Sequence, residues 1–218
     1  MSEEKNKKVQ DGTTISRRSF IKGVGTGVVA ATVAPASLVE KTEAQQSMNE
    51  LPGVTEAAIT LNINKQNYKV KVESRTTLLS VLRDGIDANG ERIDLTGTKQ
   101  VCDRGECGGC TVLMDGKAVY SCMILALDAQ GKEITTIESL ADGDKLHPIQ
   151  EAFVEHDALQ CGFCTPGFVM SAKALLDENP DPTLEEIKHG LAGNLCRCGA
   201  YPRIFEAVQT AAKRMRKP

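Results

Sequence analysis

Eight cysteines in 218 residues fall into two sets of four, and none stands outside them. Cys102, Cys107 and Cys110 lie in the stretch CDRGECGGC, and Cys122 follows in the next hairpin. Cys161 and Cys164 sit in QCGFC, and Cys196 and Cys198 in NLCRCG. Any fold that uses these thiols must bring each set together, so they constrain the chain path more than any other residue type. An even number of cysteines points to disulfides in an exported chain and to metal sites or catalysis in a cytosolic one. The compartment therefore decides how they are read.

The N-terminus reads as an export signal. SRRSFIK (16–22) precedes GVGTGVVAATVAPA (23–36), an uncharged run ending in APA. A basic flank, a short apolar run and a small-residue end make a signal peptide. Arg17 and Arg18, followed by Phe20 and Lys22, match the twin-arginine class, so the expected destination is the periplasm. An uncleaved anchor or a plain basic tail is the alternative. The run is too short and weakly apolar for a stable membrane span, which needs about 20 apolar residues. Gly25, Gly27 and Ala30 loosely match a dinucleotide fingerprint, but no strand precedes them. Twin-arginine export carries folded proteins. That route suits a chain that loads an inorganic cofactor in the reducing cytoplasm, whereas disulfides form after export and need no such route.

Residues 1–45 are assigned to the signal and the start of a linker, and 46–56 to the linker itself. Beyond it, AAITLNINKQNYKVKVES alternates apolar and polar residues about a break at NKQN, which predicts a hairpin. TLLSVLRDG (77–85) predicts a short helix stopped by Gly85. Asp115–Gly116 is a favoured two-residue turn for a second hairpin, and EITTIESL (133–140) supplies a last strand. Near Asp142 the texture turns helical. HPIQEAFVEH, TPGFVMSAKALLDENP, TLEEIKHGL and YPRIFEAVQTAAKRMRK each carry apolar residues at helical spacing, with start signals at Pro148, Thr165–Pro166 and Thr183/Glu186. A small mixed sheet crossed by a helix, then a four-helix bundle, is the expected order. Hydrophobic residues are 41 % but aromatics only 4 %, with no Trp, so the cores must be built from Val, Ile, Leu and Ala. A formal net charge of −3 gives no support to a nucleic-acid surface.

C-x4-C-x2-C with a more distant fourth cysteine is the plant-type [2Fe-2S] spacing. Gly105, Gly108 and Gly109 let the backbone turn tightly around such a core. In the second set, each cysteine pair lies just ahead of a helix start, whose partial positive charge favours an anionic group. Two alternatives stand beside two iron–sulfur clusters. One is a pair of structural zinc ions, for which C-x-C is an uncommon ligand spacing. The other is disulfides, for which Cys196 and Cys198 are poorly placed.

CDRGECGGCTVLMDGKAVYSC, LQCGFCTPGFVM and GNLCRCGAYPRI, in that order, resemble the iron–sulfur subunit of molybdenum hydroxylases of the xanthine dehydrogenase and aldehyde oxidase type. The resemblance runs from about residue 57 to 215, and the leader makes it most similar to periplasmic aldehyde oxidoreductase small subunits. It implies an α+β chain: a β-grasp plant-type ferredoxin domain (57–140) and an all-α four-helix domain (141–218), each with one [2Fe-2S] cluster. Cys102, Cys107, Cys110 and Cys122 would hold the first, and Cys161, Cys164, Cys196 and Cys198 the second. Gln160 and Cys198 would approach a molybdenum–pterin cofactor on a large partner subunit. FAD would sit on a medium subunit or be replaced by another acceptor. The chain would relay electrons and carry no catalytic residue, with the three histidines and Arg197 left at the surface or at helix caps. A free-standing ferredoxin-like carrier and a zinc-binding structural module are the rival functions.

Overall fold

The computed structural model describes residues 55–216, so the expected signal and nearly all of the linker lie outside the described residues. β1 (Glu56–Ile63) and β2 (Gln66–Glu73) pair antiparallel across Asn64 and Lys65, whose φ angles are 53° and 66°. Two left-handed residues make the turn whose twist matches the strands. No glycine supplies it here. Asn64 is instead held by Thr136, which accepts from its Nδ2 at 2.9 Å and donates its backbone N–H to Oδ1 at 2.8 Å. Alternation then buries Ile59, Leu61, Ile63, Val70 and Val72 on one face.

α1 (Leu78–Asp84) starts where the Thr77 hydroxyl accepts from the Ser80 N–H at 3.2 Å, and it buries Leu78, Leu79, Val81 and Leu82. Its C-cap is Gly85, which leaves the helix with extended backbone, and a Cβ there would lie 2.4 Å from the Val81 carbonyl oxygen. β3 (Thr111–Met114) and β4 (Lys117–Tyr120) turn at Asp115 and Gly116, with φ of 50° and 78°. β5 (Glu133–Thr135) enters the middle of the sheet, parallel to β1 and antiparallel to β3, giving the order β2-β1-β5-β3-β4. Its central residue, Ile134, is fully buried.

Four helices follow: α2 (Pro148–Glu155), α3 (Thr165–Glu178), α4 (Leu184–Gly190) and α5 (Tyr201–Met215). Proline in the first turn of α2, α3 and α5 loses no helical bond, because the N–H it lacks would have had no partner. α4 carries the expected capping box, with Glu186 N–H on the Thr183 hydroxyl and Thr183 N–H on the Glu186 carboxylate. α2 is capped by His147, whose Nδ1 accepts from Ile149 N–H at 3.3 Å. α3 begins at its Thr165–Pro166 signal, with Cys164 as the cap. The helices close a second core around Ile149, Phe153, Phe168, Leu176, Ile187 and Ile204. This core is separate from that of the sheet, and α3 packs along β3 to join them. The described region is thus α+β, a five-stranded sheet with five α-helices.

Phe168 is fully buried in the helical core, so Phe168→Ala should cost about 3–5 kcal/mol in urea unfolding. Val154→Ala on the exposed side of α2 should stay within about 0.5 kcal/mol. Burial, aided by the Lys173 charge, pushes the His147 imidazole below its usual pKa, against the smaller pull of Asp177 and Glu151. The unfolded chain therefore takes up the proton first. The cap contributes fully above about pH 6.5 and its contribution is lost as pH falls from there toward the lowered native value. Between pH 7.5 and 5.5 the melting temperature of wild type should fall further than that of His147→Asn, whose amide caps without titrating.

Candidate metal centres

The loop 102–110 coils immediately before β3. Asp103, Gly105 and Gly108 have φ of 54°, 78° and 66°. These reversals aim backbone N–H groups inward. Gly105 N–H meets Cys122 Sγ at 3.3 Å, the N–H groups of Arg104, Glu106 and Cys107 meet the Cys102 thiol, and that of Gly109 meets Cys107. Cys110 ends the loop, and Cys122 sits in a single 3-10 turn (Ser121–Met123) after β4. Ser121 ties these two places together by donating both its N–H (3.2 Å) and its hydroxyl (2.8 Å) to the Cys110 carbonyl. The thiols meet two by two, Cys102 with Cys107 and Cys110 with Cys122. The latter pair is buried against Leu79 and Tyr120.

The second set has the same two-by-two form. Cys198 Sγ lies 3.6 Å from Cys161 Sγ, and both are exposed. Cys164, the α3 cap, meets the buried Cys196. Cys196 receives N–H groups from Ala200, Cys198 and Gly199 where the chain turns into α5, and its own N–H donates to the Tyr201 hydroxyl at 2.8 Å. Two helix N-termini therefore converge on this set, as the order of cysteines and prolines implies.

Three of these pairs contain one thiol shifted down and one shifted up. Burial opposes ionisation of Cys102, but the Arg104 N–H, the Cys107 thiol and further N–H groups outweigh it and bring the thiol to about 7. Burial raises its neighbour Cys107. Burial likewise works against Cys196, yet its backbone donors lower it, while burial and the Cys196 thiol push Cys164 up to about 12. The Phe163 N–H lowers Cys161; the Cys161 amide lowers Cys198 too, but the Cys161 thiol and burial outweigh it and raise Cys198. In the remaining pair, burial and the Cys110 thiol raise Cys122 to about 11. In each set backbone N–H donors thus lower at least one thiol, and a bound metal would displace the protons of those that are raised.

All eight cysteines are unbridged, so the disulfide reading fails in this structure. A tetrahedral zinc site needs its donors on one point. Among the described residues no three His, Cys, Asp or Glu side chains converge as ligands of a single ion. A [2Fe-2S] core asks for something else: two thiolates for each iron, on opposite ends of the bridging sulfides. Two pairs per set can meet that demand. Thr165 Oγ1, beside Cys164, is a buried hydroxyl with no hydrogen-bond partner among protein atoms, as fits a wall facing a sulfur acceptor.

Gln160 and Cys198 line one cleft of about 590 Å³, together with Asp157 and Arg203. Arg203 donates to the Asp157 carboxylate at 2.6 Å and to its carbonyl at 3.2 Å, fixing the turn that leads into Gln160. The two cysteine sets are themselves joined: Leu195 N–H donates to the Cys107 carbonyl at 2.9 Å. Composition and spacing give no sign of that link, nor of Tyr120 and Asn194, which also belong to it. The three histidines lie elsewhere: His147 caps α2, His156 bonds Thr210 at 2.8 Å, and His189 closes α4. Arg197 is exposed.

Residues 56–159 match the family model described as 2Fe-2S iron-sulfur cluster binding domain, and residues 136–209 match the [2Fe-2S] binding domain. The aldehyde oxidoreductase iron-sulfur-binding subunit PaoA of Escherichia coli K12 is 40 % identical over 91 % of this chain and 89 % of its own length. The nicotine 6-hydroxylase small subunit of Paenarthrobacter nicotinovorans is 51 % identical over 70 % of this chain and 88 % of its own length. Among solved structures, a chain of quinoline 2-oxidoreductase from Pseudomonas putida 86 superposes with a TM-score of 0.68 at 40 % identity, covering 74 % of this chain and 97 % of that one. With both cysteine sets inside matched regions, the chain belongs to the iron–sulfur subunits of molybdenum hydroxylases of the aldehyde oxidoreductase and xanthine dehydrogenase type.

Proposed function

We propose that this chain is the electron-relay subunit of a molybdenum-containing hydroxylase, an aldehyde oxidoreductase by its similarity to PaoA over 91 % of the chain. The observation that carries the reading is the arrangement of eight thiols as four pairs, in two sets joined by a backbone hydrogen bond. Cys102, Cys107, Cys110 and Cys122 hold one [2Fe-2S] cluster in a β-grasp ferredoxin domain (57–140). Cys161, Cys164, Cys196 and Cys198 hold the other in a four-helix domain (141–218). Each cluster, when bound, takes up and passes on one electron at a time. The chain's own residues then supply the setting. N–H groups of the 102–110 loop and the starts of α3 and α5 stabilise negative charge on sulfur. Burial of Cys110, Cys122 and Cys196 keeps water from part of each set.

The remaining roles follow the same division. Cys161 and Cys198 form the exposed pair, next to the cleft that holds Gln160. That edge faces a molybdenum–pterin cofactor on a large subunit, with Gln160 and Cys198 against the pterin. Electrons leave from the first set toward FAD on a medium subunit or another acceptor. The names of the relatives, an iron-sulfur-binding subunit and a small subunit, support assembly with larger partners. Arg17 and Arg18 direct the folded chain through twin-arginine export to the periplasm.

Anaerobically isolated chain should be red-brown and contain about four irons and about four acid-labile sulfides, two for each cluster. Cys110→Ser should leave about two irons with the second set loaded. Colourless protein, or zinc in place of iron, would overturn the reading. Replacing Arg17 and Arg18 with lysine should strand the protein in the cytoplasm. Unchanged recovery from the periplasm would show that the leader has another role.

A further inference from the structure

Asn194 is buried, yet its side chain serves no backbone group of its own loop that would explain an asparagine there. Its Nδ2 donates at 3.0 Å to the carbonyl of Gly108, 86 residues away in the chain. Asparagine in a loop usually bonds its own neighbouring backbone. The next residue, Leu195, donates its N–H to the carbonyl of Cys107 at 2.9 Å. At the outer end, the Tyr120 hydroxyl donates to the Gly193 carbonyl at 3.1 Å. Three consecutive residues therefore stitch the segment ahead of Cys196 to the loop that carries Cys107 and Cys110 and to the end of β4, just before Cys122.

Backbone and side chains both meet closely here. A Cβ on Gly108, which has φ of 66°, would lie 2.6 Å from both Asn194 Nδ2 and the Gly193 carbonyl oxygen. A Cβ on Gly167 would lie 2.3 Å from the Gly108 carbonyl oxygen, and one on Gly193 would lie 1.9 Å from the Tyr120 hydroxyl. The Gly108 carbonyl also accepts from the Thr111 hydroxyl at 2.7 Å, so it is fixed from the sheet side and from the helical side at once.

We propose that Asn194 is a positioning residue that sets the distance and orientation between the two cysteine sets, and hence the electronic coupling of the groups they hold. The proposal rests on the two-cluster reading. Electron transfer between fixed centres falls steeply with separation, so a seam built for spacing has a direct use in a relay. Without the amide the Gly108 carbonyl keeps its Thr111 donors on the sheet side and loses its side-chain bond to the helical side, so the seam should loosen.

The test compares full-length wild type with Asn194→Asp, which keeps the shape but loses the donor, and Asn194→Ser, whose side chain is shorter. Wild type fully reduced with dithionite should show spin–spin splitting between two paramagnetic clusters. If wild type shows fewer than two cluster signals, the cluster reading itself fails, before any variant is considered. In the variants, iron content and the signals of each cluster at half reduction should match wild type. The splitting should be altered or lost, and the Leu195 amide should exchange with solvent at least about tenfold faster. Full iron with unchanged splitting and unchanged Leu195 exchange would overturn the proposal. Loss of one cluster in both variants would also overturn it, because Asn194 would then be needed for loading and not for spacing.

Discussion

Concentrating eight sulfurs in two small volumes is the physical demand that the rest of the structure answers. Thiols in close pairs repel once ionised, and burial makes that worse by removing water. The chain offsets both effects with backbone N–H groups. In the first set the donors come from a loop forced through three left-handed residues, Asp103, Gly105 and Gly108. In the second they come from the turns where α3 and α5 begin, whose dipoles point the same way. The same problem is met once by loop curvature and once by helix termini. That is why the two sets differ so much in cysteine spacing while ending in the same two-by-two arrangement.

The scaffolds around the sets follow from this division. The sheet anchors Cys110 immediately before β3 and Cys122 just after β4, so the second hairpin fixes how far apart they lie. The helical core places Cys164 at the head of α3 and Cys196 and Cys198 ahead of α5, two helices packed in one core. The seam of Gly108, Gly167, Gly193 and Asn194 then brings the two scaffolds into register. Its glycines matter because a Cβ on Gly108 or Gly167 would meet a backbone carbonyl oxygen at 2.6 or 2.3 Å.

Much of this was legible in the sequence where local chemistry decides. The Asp115–Gly116 turn, the Thr183/Glu186 capping box and the prolines at helix starts each act within a few residues, and the structure has them where residue type places them. The grouping of cysteines into two sets was legible from spacing. Their division into pairs was not, because Cys161 meets Cys198 and Cys164 meets Cys196 only after α3 and α5 have packed. The first hairpin turn also hid its cause. Lys65 is an unusual residue at positive φ, and the turn depends on Asn64 bonding Thr136, 72 residues on. Thr165 opens α3 as its start signal places it, but that signal does not show that the cap is a cysteine or that the Thr165 hydroxyl is left unpartnered. Asn194 gave no signal at all, because its partner is as remote as Thr136 is from Asn64.

A stepwise potentiometric titration of the full-length chain, followed by electron paramagnetic resonance, tests the central claim most directly. The account predicts two distinguishable signals, each growing to about one unpaired electron per chain, because thiols paired two by two hold two separate diiron centres. A single signal at full iron loading, or a protein that remains silent on reduction, would contradict it.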